Sequence, residues 1–138
     1  MGIPNYSIHL EDPQLQGFYD GLAANELRLT FDPDTQECVW YPPEVVPGKP
    51  HTVLEWRKVS PLGSAYTFTT VVRCLLPGDH KEEAPFTVVL FESDETPGCR
   101  VPGVLINSQN IEPACGMRLR FVPINVGDHV IAGFEPLI

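Results

Sequence analysis

The sequence predicts a mainly β protein, a small closed or partly closed barrel set behind an amino-terminal helix and a proline-rich connector. Three observations carry this. From Leu54 onward the apolar residues fall in short alternating or continuous runs of strand length. Charged segments bearing Gly and Pro, "LPGDHKEEAP" and "SDETPGC", separate those runs. Before Leu54 the pattern changes to one helical stripe followed by a stretch dense in proline. The boundary divides the chain into residues 1–53, an arm, helix and connector, and residues 54–138, the barrel.

Residues 1–11 read as an arm. Asp12 followed by Pro13 has the form of an N-cap and a first helical residue. Leu15, Phe18, Tyr19 and Leu22 then recur at helical spacing as one apolar stripe. Gly17 and Gly21 each cost such a helix about 1 kcal/mol relative to Ala, so it needs docking, on its own domain or on a partner. "ELRLTF" and "CVWYPP" read as two short strands around "DPDTQE", which has turn chemistry. "WYPPEVVPGKP", Trp40 to Pro50, holds four prolines and a glycine. Proline fixes φ and lacks an N–H, so this stretch is neither helix nor central strand.

In "SAYTFTTVVR", Tyr66, Phe68 and Val72 share one strand face and Thr67, Thr69 and Arg73 the other. "APFTVVLFE" is an apolar run of strand length. In "MRLRFV", Met117, Leu119 and Phe121 alternate with Arg118 and Arg120, and "HVIAGFEPL" closes the chain.

The 138 residues carry a formal net charge of −9. Non-specific nucleic-acid binding needs clustered Lys and Arg to neutralise phosphates, and docking on anionic lipid needs the same. Neither partner is expected. No apolar run approaches the roughly 20 residues of a membrane span. "MGIPNYSIHLEDP" lacks a basic region followed by an apolar core, so a reducing cytoplasm is expected. Cys38, Cys74, Cys99 and Cys115 form no C-x-x-C pair and read as free, mostly packed thiols.

Catalytic motifs are missing. There is no G-x-S-x-G, P-loop, dinucleotide-binding or H-E-x-x-H pattern. His9, His51, His80 and His129 are widely spaced, and Asp79, Glu82 and Glu83 read as a solvated loop. Cys38 and His51 flank the connector, but a structural zinc site takes four ligands, usually as two close pairs. No catalytic residue and no metal ligand is assigned.

The order of the segments says more. "GFYDGLAANELRL", "YPP", "LEWRKVSPLGSAYTFTTV", "EAPFTVVLFESDE", "GCRVPGVLIN", "IEPACGMRLRF" and "GFEPL" together resemble, over about residues 13–138, the acyl-CoA-associated OB-fold family, whose members carry an N-terminal helix and a rubredoxin-like zinc ribbon. The resemblance implies an OB-fold barrel. It also implies two C-x-x-C knuckles flanking the "YPP" hinge, with the second pair at positions 47 and 50 and the first within "FDPDTQE". This chain has Pro47 and Pro50, and no cysteine in "FDPDTQE". The connector therefore reads as a degenerate, metal-free ribbon, in which prolines restrict the unfolded chain. Zinc, expected in the family, is expected to be absent here.

For function, the resemblance implies a non-catalytic accessory subunit of a thiolase-fold enzyme, a thiolase or an aldolase acting on acyl-CoA thioesters, steroid-CoA side-chain cleavage among them. The natural arrangement is a heterotetramer with a dimeric large subunit. The alternatives are a stand-alone acyl-CoA-binding module and a subunit of a CoA-ester hydratase. Phe18, Tyr19 and Leu22 are the candidate partner-interface anchors. Arg73, Arg100, Arg118 and Arg120 are the candidate CoA contacts, since the phosphates of CoA need local positive charge on so acidic a chain. Single-stranded nucleic acid, which OB folds bind through basic grooves with stacking aromatics, would have Trp56, Tyr66 and Phe68 to stack on but the wrong charge.

Overall fold

The computed structural model describes residues 12–73, 85–127 and 129–137. The arm, His9, Cys74, Asp79, His80, Glu82 and Glu83 lie outside them. The Asp12 carboxylate accepts from the Gln14 amide at 3.0 Å and so caps a 3-10 turn, Pro13–Leu15, that runs into helix α1, Gln16–Ala23. The helix stops at Asn25, whose φ of 61° is left-handed, a conformation Asn tolerates better than most residues. The Glu26 amide then donates back to the Gly21 carbonyl at 2.8 Å.

Strand β1, Arg28–Phe31, pairs antiparallel with β2, Glu55–Lys58, from Arg28 opposite Lys58 to Phe31 opposite Glu55. "CVWYPP", expected as a short strand, is not one. It touches β1 only through an isolated bridge between Phe31 and Cys38, a Val39 amide bond to the Thr30 carbonyl, and the Thr30 hydroxyl donating to the Val39 carbonyl. Pro42 and Pro43 cannot donate to a ladder, so no strand forms on that edge, and β2, arriving from the far side of the connector, pairs with β1 along its opposite edge. By hydrogen bonding, β2 belongs with β1, and the barrel strands begin at Leu62.

The barrel contains β3 (Leu62–Val71), β4 (Phe86–Ser93), β5 (Arg100–Leu105), β6 (Arg118–Phe121) and β9 (Gly133–Pro136), in the closed order β3-β4-β5-β9-β6. β5 and β9 run parallel and the other pairings are antiparallel. This is a five-stranded barrel of the OB type. A hairpin of β7 (Ile124–Val126) and β8 (His129–Ile131) is inserted before β9, so "HVIAGFEPL" is two strands broken at Ala132.

The alternation in "MRLRFV" holds: Leu119 and Phe121 are buried while Arg118 and Arg120 point out. In β3 it fails. The register slips between Ala65 and Thr67, a bulge that expels Tyr66 and resets the faces beyond it. Tyr66 is 52% exposed and Val72 77%; of that expected face only Phe68 packs against the core. Ala65, Val89, Phe91, Val101, Leu105, Leu119 and Phe134 fill the interior. Phe91 and Phe134 stack with centroids 4.4 Å apart. So narrow a barrel has no room for a side chain everywhere: a Cβ on Gly103 would lie 2.3 Å from the Phe134 ring, and one on Gly63 2.1 Å from the Glu92 carbonyl oxygen.

Candidate functional site: an apolar groove on the outer face of the barrel

Successive side chains on a strand point to opposite faces, so β4 and β5 present Val88 opposite Val104 and Leu90 opposite Pro102 on the outside of the barrel. Helix α1 lines one side of that face with Phe18, Tyr19 and Leu22, and β8 brings Val130 and Ile131 to it. The result is a groove of about 500 Å³ with no charged residue in its lining. Tyr19 carries the one polar side chain there. Burial, with Tyr41 and Asp12 nearby, pushes its hydroxyl above the ordinary range, so it stays a neutral hydrogen-bonding group.

The helix is held in place by aromatic contacts as well as by the core. Phe18 lies 5.6 Å from Trp40, and Trp40 lies 6.1 Å from Trp56. The connector, helix and β2 thus share one aromatic cluster. Of the three expected interface residues, Leu22 is 5% exposed and belongs to the core of this chain, so it has almost no surface to offer a partner. Phe18 and Tyr19 are half-buried, pack against the core, and turn their remaining surface to the groove.

The four candidate arginines do not form a phosphate cluster. Arg118 makes a bidentate pair with Asp94 at 2.8 and 2.6 Å. Arg120 binds Glu135 at 3.0 and 2.5 Å. Arg100 lies 3.6 Å over the Tyr66 ring and 3.5 Å from Glu92. Arg73 is exposed beyond the end of β3. Three of the four are thus matched by carboxylates across the sheet, which offsets the charge a phosphate would need. The neutral groove also lacks the basic lining of a nucleic-acid channel. Sequence reasoning missed the groove because Val88, Val104 and Ile131 come from three separate strands; the signal available was the apolar run in "APFTVVLFE", which puts Val88 and Leu90 on the partly exposed outer face of β4.

Cys38 is half-buried, Cys99 buried and Cys115 exposed, all as free thiols. Burial first, and the adjoining Cys99 second, push the Cys38 thiol far above the ordinary range, which suppresses the thiolate a nucleophile needs. Among the described residues no group of three His, Cys, Asp or Glu is placed to hold a metal ion, and no helix is long and apolar enough to cross a membrane.

Between β1 and β2, two turns face each other, one ahead of the connector and one within it. The first is closed by the Gln36 amide on the Asp32 carbonyl at 2.8 Å, with Gln36 at φ 62°. The second is closed by the Lys49 amide on the Val46 carbonyl at 2.9 Å, with Gly48 at φ 76°. The Lys49 ammonium spans them, 2.8 Å from Asp32 and 3.7 Å from Asp34.

Fold and surface together define an OB-type barrel with a docked amino-terminal helix, a stiff connector and an apolar outer groove. No family model matches the sequence, and no curated protein matches it. Among solved structures, a chain of the "Ltp2-ChsH2(DUF35) aldolase" is similar over 95% of this chain and 100% of its own length, with a TM-score of 0.78 at 16% sequence identity. At that identity the likeness establishes a shared fold, helix, connector and barrel together.

Proposed function

We propose that this chain is a non-catalytic accessory subunit of a thiolase-fold enzyme that makes or breaks a carbon–carbon bond on an acyl-CoA thioester. The observation that carries the reading is the end-to-end likeness to a chain of an aldolase named for two components. An isolated barrel would match many unrelated proteins. A match that runs through the helix and connector as well is more restrictive. The chain's own chemistry agrees. Three of its four candidate arginines are matched by neighbouring carboxylates, burial holds the Cys38 thiol protonated, and its groove is apolar. Such a surface suits a protein side chain or an acyl group better than a nucleotide. In this reading the large subunit holds the CoA nucleotide and the catalytic residues. This chain contributes the groove, with Phe18 and Tyr19 as anchors. A heterotetramer and a steroid-CoA substrate are the finer forms of the same proposal.

The test is affinity capture of the tagged chain from its native cells, with the co-eluting protein identified by mass and the complex assayed on acyl-CoA thioesters. A stoichiometric thiolase-fold partner whose activity falls when this chain is removed is the expected result. A chain that elutes alone and monodisperse, and binds acyl-CoA by itself, would replace this reading with that of a free-standing binding module.

A further inference from the structure

We infer that the Lys49 ammonium occupies the place in the connector where the family resemblance puts a metal ion, so that an ion pair in place of zinc ties the two turns together. The inference concerns this chain alone and stands or falls separately from the proposed partner.

A structural zinc site joins two short turns by drawing a ligand pair from each onto one cation. The segment between β1 and β2 keeps that arrangement with a different cation. The first turn, at 32–36, holds Asp32 and Asp34 where the first knuckle is expected. The second turn, Val46 to Lys49, overlaps the expected second knuckle, whose positions carry Pro47 and Pro50. Neither proline has a side-chain donor atom, and the donor set does not fit zinc. Asp32 is already committed: one carboxylate oxygen accepts from the Asp34 amide at 2.8 Å and the other from Lys49 at 2.8 Å. Its side chain is only 6% exposed. A carboxylate so buried needs a cation, and the ammonium 17 residues along the chain supplies it. The hydrogen bond from Lys49 holds the Asp32 carboxyl below the ordinary range, as a metal would.

Purified chain is compared with and without EDTA and 1,10-phenanthroline. The expected result is no stoichiometric metal and an unchanged thermal midpoint. One zinc per chain, with a midpoint that drops on chelation, overturns the inference. Lys49→Met is then followed by amide hydrogen exchange. The expected result is exchange at the Gln36 and Lys49 amides faster by about tenfold, with the Phe91 amide in the barrel unchanged; unchanged exchange in both turns overturns it. If Lys49→Met does not fold, Lys49→Arg and Asp34→Asn decide. Arg, which keeps the cation, should preserve protection of the Gln36 amide, while loss of the outer carboxylate should reduce it; no difference between the two counts against the ion pair.

Discussion

The Trp56 indole lies directly against the backbone of Gly17, so that a Cβ built there would stand 2.2 Å from its Cδ2 atom. Gly17 therefore does not merely weaken α1. It lets the indole close onto the helix and joins β2 to the cluster of Phe18 and Trp40. Intrinsic propensity favours Gly17→Ala by about 1 kcal/mol, and the collision opposes it by about 1–3 kcal/mol. The variant is expected to be less stable by urea unfolding, with altered tryptophan fluorescence. Gln16→Ala, one residue earlier on the exposed side, should be neutral or slightly stabilising. A Gly17→Ala chain at least as stable as the parent would show that the indole moves away at no cost.

Phe134 is the centre of the barrel. It is fully buried, stacks on Phe91 at 4.4 Å and meets Phe121 at 5.9 Å, with Gly103 beneath its ring. Phe134→Ala should cost about 3–5 kcal/mol, measured as a shift in the urea midpoint at constant slope. Gly103→Ala should also destabilise, because its neighbours are the Phe134 ring and the Ala132 carbonyl oxygen at 2.8 Å.

The carboxylates on the barrel exterior and in the connector give stability a direction with pH. Hydrogen bonds from Asn107 and Arg120 hold Glu135 below the ordinary range, and the Arg118 fork does the same for Asp94. A folded-state pKa lowered in this way contributes stability that is fully present above the unfolded value, near 4 for Asp and Glu, and is lost as pH falls through the folded value. Urea midpoints should therefore be flat from pH 7 to about 5 and decline below that. Glu135→Gln and Asp94→Asn should each lower the midpoint at pH 7 and leave a shallower decline in acid. Because Arg118 and Arg120 are about half exposed, the differences should shrink in high salt. An acid slope that Glu135→Gln leaves unaltered would remove the pairing as its cause.

What could be read from the sequence followed from local chemistry. The Asp12–Pro13 helix start and the alternation of Leu119 and Phe121 with Arg118 and Arg120 are set by neighbours in the chain, and both hold. What escaped was set by distant ones. The β1–β2 pairing crosses the whole connector. The bulge at Tyr66 is one extra residue against β4 and changes no composition. The pairing of Arg118 with Asp94 and of Arg120 with Glu135 joins loops and strands far apart in the chain, so arginines that look free in the sequence are already matched. Leu22 and Phe18 share a helical stripe and both line the groove, but only the packing shows that Leu22 is buried in the core while Phe18 keeps exposed surface.

That distinction gives the sharpest test of the proposed role. Leu22→Ala removes core packing and should unfold the chain whether or not a partner exists, so loss of the complex in that variant carries no information about the groove. Ile131 is half-buried, lies on the inserted hairpin outside the barrel, and lines the groove. Ile131→Asp places a charge where a docked apolar side chain would have to bury it, at small cost to the barrel itself. The isolated variant should keep a thermal midpoint within a few degrees of the parent, while its affinity for the large subunit falls by about tenfold or more. Tyr19→Ala should weaken the complex in the same assay, and Arg118→Ala, on the charged exterior, should not. If Ile131→Asp and Tyr19→Ala bind the large subunit as tightly as the parent, the groove is not the contact surface, and the partner must dock on another face of the chain.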